Sequence, residues 1–305
     1  MDRVIALGYF DGVHRGHGAL LRAARRLADE LHCSAAAMTF DTHPSVLLGE
    51  GPVELLSTLE QRRLLMTRLY GMDEILTLPF DRAMMTMSWE RFAETYLAGA
   101  KAVVCGYDFR FGHRGEGTAE LLAAYCRAHG IAAEVIPPVT WEGEVVSSTG
   151  IRRLLRDGET DRAMAMLDHP HLLSGTVKSG NHIGRQWGIP TANLPLPTGV
   201  LVPAWGVYAA KAEADGVVCD AVVNIGEHPT VGLAPAPQAE AWLLDYSGDL
   251  YGKNLRLWLA ARIREERQFA NAEELTEEIR RNAAQARILL AKAASPDAPP
   301  YLPER

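Results

Sequence analysis

The feature that most limits the fold of this 305-residue chain is a change of rhythm part-way along it. Before Pro170, short apolar runs alternate with stretches of helical period. "VIALGYF", "SAAAMTF", "KAVVCGYDF" and "IAAEVIP" read as buried strands. Between the first two, "GALLRAARRLADEL" puts Leu20, Leu21, Ala24, Leu27, Ala28 and Leu31 on one helical face. Further helices are predicted over residues 58–70, 88–97, 120–129, 148–156 and 161–167. Strands alternating with helices require a mostly parallel sheet covered on both faces. After Pro170 the apolar segments "LLSGTVKSG", "GVYAAKAEADGVVCDAVVNIG", "AEAWLLDY" and "NLRLWLAARI" follow one another with turns between. Asp215-Gly216 signals a tight hairpin, and Ser247-Gly248-Asp249 a second turn. The natural architecture for that half is a closed or nearly closed antiparallel barrel. A last helix runs over residues 272–294, with Asn271 as N-cap and Glu274 as its capping-box partner. The expected organisation is an α/β, Rossmann-like domain over 1–165, a β-barrel domain with a terminal helix over 166–295, and a Pro-rich tail over 296–305.

Composition narrows the function classes. The chain is 48% hydrophobic and 23% charged, with a formal net charge of −7. An acidic balance argues against a nucleic-acid protein, whose binding surface is usually basic. A small anionic ligand needs only a few local donors and stays open. No apolar run reaches the length of a membrane helix, and "MDRVIALGYF" lacks the apolar core and cleavage site of a signal peptide. Cys33, Cys105, Cys126 and Cys219 are scattered, which fits four reduced thiols in a cytoplasmic protein. The oligomeric state is not encoded in any of these features.

Chemistry concentrates in "LGYFDGVHRGHGAL". His14 and His17 lie where the first strand ends and the first helix begins. In open α/β sheets, ligands bind outside the carboxyl ends of the strands. A helix N-terminus there presents free N–H groups and a positive dipole end. Gly8, Gly12 and Gly16 let the backbone approach a ligand closely. Two imidazoles at that place suit a phosphate whose charge grows in a transition state. The P-loop pattern G-x-x-x-x-G-K-[ST] does not occur. Incidental loop histidines, or one ligand of a metal, are the alternatives.

"GYFDGVHRGH" resembles the H-x-G-H signature of nucleotidyltransferases, in the form carried by the bacterial FAD synthetase family, riboflavin kinases that are also FMN adenylyltransferases. "MTFDTHP", "CGYDFRFGHRGEG" and "SSTGIRRLL" resemble that family's T-F-D-P-H-P, G-x-D-F-R-F-G and S-S-T-x-I-R blocks. "SGTVKSGNHIGRQWGIPTANL", "NIGEHPTVG" and "AEAWLLDYSGDLYG" resemble its kinase half. The resemblance spans residues 3–292 and implies two reactions on small-molecule substrates: ATP phosphorylates riboflavin, then AMP passes from ATP to FMN. For the second reaction it implies phosphate contacts from His14, His17, Gly8, Phe10, Asp11, Gly12, Ser147, Ser148, Thr149 and Arg152. Ser147 to Thr149 also read as an ordinary helix N-cap. Asp108, Arg110 and His43 would face flavin or nucleotide, or else serve as a turn aspartate, a strand-end cover and a surface histidine. The FMN phosphate is already anionic, so that transfer needs positioning rather than a base.

For the kinase, the 5′-hydroxyl of riboflavin is neutral and benefits from a base. Glu240 matches the family's catalytic glutamate. Thr191 and Asn193, alternate residues of "PTAN", are implied oxygen ligands of Mg²⁺. Gly175, Gly180, Gly184, Arg185 and Pro190 are implied contacts to the ATP phosphates, with a surface role open for Arg185. The chain departs from the family pattern at Thr42, at "DHPH" (168–171), and at Trp187, His228 and Val231. Three rivals stay open: a transferase for another mononucleotide, a flavin-binding protein without turnover, and a nucleic-acid platform.

Overall fold

A computed structural model describes residues 2–49, 53–179, 188–228 and 236–293. The chain divides into two compact units, Met1–Ser148 and Thr149–Arg305.

In the first unit, strands β1 (Arg3–Leu7), β2 (Ser34–Phe40), β3 (Glu74–Leu78), β4 (Ala100–Gly106) and β7 (Ala132–Ile136) form one parallel sheet in the order β3-β2-β1-β4-β7. Two short hairpins, β5 (Arg110–Phe111) with β6 (Gly117–Thr118) and β8 (Thr140–Trp141) with β9 (Glu144–Val145), lie outside it. The helices are α1 (Arg15–Glu30), α2 (Pro44–Leu48), α3 (Leu59–Tyr70), α4 (Arg82–Thr86), α5 (Trp89–Tyr96) and α6 (Ala119–Ala128). Central β1 and β2 are continuous apolar runs because helices cover both their faces, as parallel sheets require. Ile5, Leu7, Ala36, Met38, Val103 and Cys105 pack with Phe92, Leu97 and Leu122 into one core. Edge strand β3 is half-buried throughout and carries no clean period, so no local pattern marks it. Strand order reverses between β1 and β4, so the carboxyl ends of those two strands flank the switch point of the sheet.

Helices α7 (Ser148–Asp157) and α8 (Thr160–Leu167) were expected to close the first half; apart from Ser148 they fall in the second unit. Amphipathic period says that Leu154, Leu155, Met166 and Leu167 are buried, but not against which sheet. Here Ala204 donates its N–H to the Leu155 carbonyl at 2.9 Å, and α8 packs on β15 (Asn254–Glu265).

The second unit is a six-stranded antiparallel sheet in the order β10-β15-β12-β13-β14-β11. Its other strands are β10 (His171–Thr176), β11 (Thr191–Pro195), β12 (Gly206–Ala214), β13 (Val217–His228) and β14 (Ala236–Leu243). The sheet curls into a barrel: just past β10, Lys178 bridges to Asn193 of β11, the opposite edge strand. Asp215 and Gly216 take φ values of 51° and 77°, as the predicted two-residue hairpin needs. Tyr208, Ala210 and Ala212 of β12 fill the barrel with Val223, Ile225, Ala241 and Leu257. Val207, Ala209 and Val222 instead face Ala283, Ala286 and Leu290 of the last helix, α9 (Ala272–Ala293). Asn271 caps that helix through the Glu274 N–H at 2.9 Å, and the Glu274 carboxylate reaches back to the Ala270 N–H.

Candidate functional site

The loop after β1 is built by three successive departures from ordinary backbone. Phe10, Gly12 and Val13 have φ of 60°, 74° and 45°. Left-handed geometry at two non-glycine residues is costly and persists only when the surroundings enforce it. The enforcement is visible. Phe10 is fully buried, and its ring sits where a Cβ on Gly8 would come within 3.1 Å. The Asp11 carboxylate, 3% exposed, accepts the N–H groups of Leu56 at 2.9 Å and Ser57 at 3.1 Å. Ser57 Oγ in turn accepts from Gly12 N at 2.9 Å.

This tie delivers His14 to the N-cap of α1, where its Nδ1 accepts the His17 N–H at 3.4 Å. The two imidazoles stack, with centroids 3.7 Å apart and planes 16° from parallel. Phe10 meets His17 edge-on at 5.3 Å. Burial, then the nearby His14 and Arg62, holds His17 well below the usual histidine range, so the ring is neutral at pH 7. Its buried Nδ1 has no hydrogen-bond partner among the described residues. A close pair of imidazoles over a helix N-terminus presents hydrogen bonds to one anion.

His43 follows β2 and caps α2 through Ser45; its ring stands edge-on to Tyr9 at 4.6 Å. Ser148 Oγ donates to the Asp11 carbonyl at 3.0 Å, joining the start of α7 to the loop. Ser147 is half-buried beside it. Asp108 and Arg110 follow β4, both exposed. The carboxyl ends of β1, β2 and β4 therefore carry Gly8 to His17, His43 and Asp108 to Arg110 respectively. Thr149 is exposed and Arg152 buried on α7, within the second unit. The roles implied for Phe10 and Asp11 narrow to their backbone, because both side chains are buried and engaged in the loop. Ser57 and Arg62 were missed. They lie more than 40 residues from the loop they hold, and no local pattern marks them.

In the second unit, Asn193 of β11 pairs directly with Glu240 of β14. Thr191 Oγ1 donates to Glu240 Oε1 at 2.5 Å. All three side chains are half-exposed and share the outer face, since neighbouring Ala192, Leu194, Ala239 and Ala241 point into the barrel. A pocket opens beside Thr191, walled by Val177, Leu243, Leu250, Tyr246 and Tyr251. Apolar and aromatic walls next to a polar cluster suit a ligand with a flat apolar body and a polar end. Gly175 lies within β10, where a Cβ would meet Leu194 at 3.1 Å; what it permits there is close strand packing. Pro190 is exposed just before β11. Gly180, Gly184 and Arg185 lie outside the described residues, as do Trp187 and Val231.

Residues 1–150 match the family model for FAD synthetase, and residues 167–290 the model for riboflavin kinase. Proteins named bifunctional riboflavin kinase/FMN adenylyltransferase align over nearly the whole chain. That of Escherichia coli K12 is 35% identical, and that of Bacillus subtilis 34%, each covering 93% of this chain and 91% of its own. That of Pseudomonas fluorescens is 33% identical over 95% of this chain and 94% of its own. A crystal structure from Streptococcus pneumoniae, described as a macrolide-efflux protein, superposes with a TM-score of 0.81 at 30% identity, covering 94% of both chains. Among the described residues, no helix is long and apolar enough to cross a membrane.

Proposed function

Since the chain belongs to the bifunctional riboflavin kinase/FMN adenylyltransferase family, we propose that its two reactions run at the two sites just described. It phosphorylates riboflavin to FMN and adenylylates FMN to FAD. The observation that carries the division is the state of the carboxylate built into each cluster. Glu240 is half-exposed and hydrogen-bonded to Thr191, whereas Asp11, in the histidine loop, is buried and already holds two backbone N–H groups. A neutral hydroxyl needs a base; an anionic phosphate does not.

In the kinase reaction, Glu240 takes the proton of the riboflavin 5′-hydroxyl as that oxygen attacks the γ-phosphorus of ATP, the bond to the β,γ-bridging oxygen breaks and ADP leaves. Asn193, directly across the strand pair, and Thr191 line the same face. Their oxygens are hard donors that fit Mg²⁺, which keeps several waters of its own, and they leave the Glu240 carboxylate to act as base. Such an ion would supply charge neutralisation on the phosphates. The pocket beside Thr191 takes the flavin ring against Tyr246 and Tyr251. In the transferase reaction, an FMN phosphate oxygen attacks the α-phosphorus of ATP and pyrophosphate leaves. His14, His17, the N–H groups opening α1 and Ser148 bind and orient the triphosphate, and His43, Asp108 and Arg110 border the flavin nucleotide. The transferase chemistry is assigned to residues 1–165 and the kinase to 166–295. Dependence on ATP and the four free thiols support a cytoplasmic location.

The test is a flavin product assay. The purified chain is given ATP and Mg²⁺ with riboflavin, then with FMN, and the flavins are separated. FAD from both, with FMN appearing on the way in the first, is the expected result. FMN as the sole product would remove the adenylyl transfer from the first unit.

A further inference from the structure

Arg62 carries its charge where the local structure disfavours one. It stands in the first turn of α3, right after the capping-box residue Gln61, facing the positive end of the helix dipole. Its side chain is 0% exposed. Nη1 donates to the Tyr9 carbonyl at 2.6 Å and to Thr39 Oγ1 at 2.7 Å, and Nη2 to the Phe40 carbonyl at 3.1 Å. The guanidinium lies 4.1 Å from the centre of the Tyr9 ring. These acceptors are neutral, Nε finds no partner among the described residues, and the Asp11 and Asp41 carboxylates favour the charge only through space. Burial outweighs those two carboxylates, and arginine does not escape by losing its proton. A methionine would fill similar space without that cost.

The position gives the charge a purpose. Tyr9 opens the histidine loop, and Thr39 and Phe40 end β2. Both lie at the carboxyl ends of parallel strands near the switch point, the end of an open α/β sheet at which ligands bind. The segment leading into α3 already grips the same loop at Asp11 and Gly12. Resting on the assignment of adenylyl transfer to this site, we propose that Arg62 is a positioning residue for that reaction. It locks the Tyr9 and Phe40 carbonyls in place, and its charge is balanced by the polyphosphate of the incoming nucleoside triphosphate.

Arg62→Met and Arg62→Lys, made in the full chain, test this with FMN and varied ATP. Riboflavin phosphorylation in the same preparations serves as the control. Arg62→Met should raise the KM for ATP in FAD formation by about tenfold or more, leaving the kinase KM for ATP unchanged. Arg62→Lys should hold that KM within about threefold while kcat falls, because one ammonium keeps the charge but cannot fork to both carbonyls. An unchanged KM in Arg62→Met, with only a lower melting temperature, would mean a purely structural arginine. A KM in Arg62→Lys as high as in Arg62→Met would equally overturn the charge role. Should Arg62→Met not fold, Arg62→Gln is read against the same two outcomes. Wild-type protein that makes no FAD from FMN would instead sink the site assignment itself.

Discussion

His171 opens β10 at 2% exposure, within the 168–171 departure from the resembled family's pattern. Its backbone N–H points at Met164 Sδ, 3.0 Å away, and its buried Nε2 has no hydrogen-bond partner among the described residues. Burial, aided by the neighbouring His169, pushes its pKa down to about 3 from the ordinary 6.5. The unfolded chain therefore binds a proton below pH 6.5 that the folded chain refuses. Stability from this group is whole above that pH and drains away as pH falls toward 3, by up to about 1.4 kcal/mol per pH unit. Thermal melts across that window should show a steeper loss for the wild type than for His171→Phe; parallel curves would remove His171 as the cause. Such a residue is legible in the sequence only as a departure from a pattern. Its burial comes from the strand it opens and the helix α8 packed beside it.

At the scale of elements, the start of α1 is the most constrained piece of the molecule. Gly16 is its second residue, and a Cβ there would meet the His14 ring at 3.1 and 3.2 Å. Gly16→Ala should leave the fold intact, since alanine is the better helix former by about 1 kcal/mol. It should nonetheless lower FAD formation, because the His14 ring must shift to admit the methyl group. Retention of full adenylyl transfer, measured beside an unchanged melting curve, would show that His14 is not held to this rotamer. Most helices were legible because their caps and periods agree: Thr58 and Gln61 make a full capping box for α3, and Ser88 caps α5. Short or irregular elements were not. Helices α2 and α4 have five residues each, too few to show a period.

At the scale of the whole molecule, two chemistries sit in two units of one chain. His14→Ala should therefore stop FAD formation and spare riboflavin phosphorylation. Glu240→Gln should do the reverse, lowering the kinase rate by about 10²–10⁴-fold. Either substitution abolishing both reactions in folded protein would mean the sites are not separate. What the amino-acid order alone determined was the class of each half; it also offered the groups proposed to bear the chemistry. Hydrophobic period, turn dipeptides and the spacing of His14 from His17, or Thr191 from Asn193, act over a few residues and are written locally. What only the tertiary structure decided was which groups remain free to act. It buried the Asp11 carboxylate against Leu56 and Ser57, spent Gly175 on packing beside Leu194, grouped α7 and α8 with the barrel, and set Arg62 beneath Tyr9. Those outcomes depend on partners tens of residues away, joined only when the sheet and barrel form, so no local signal announces them.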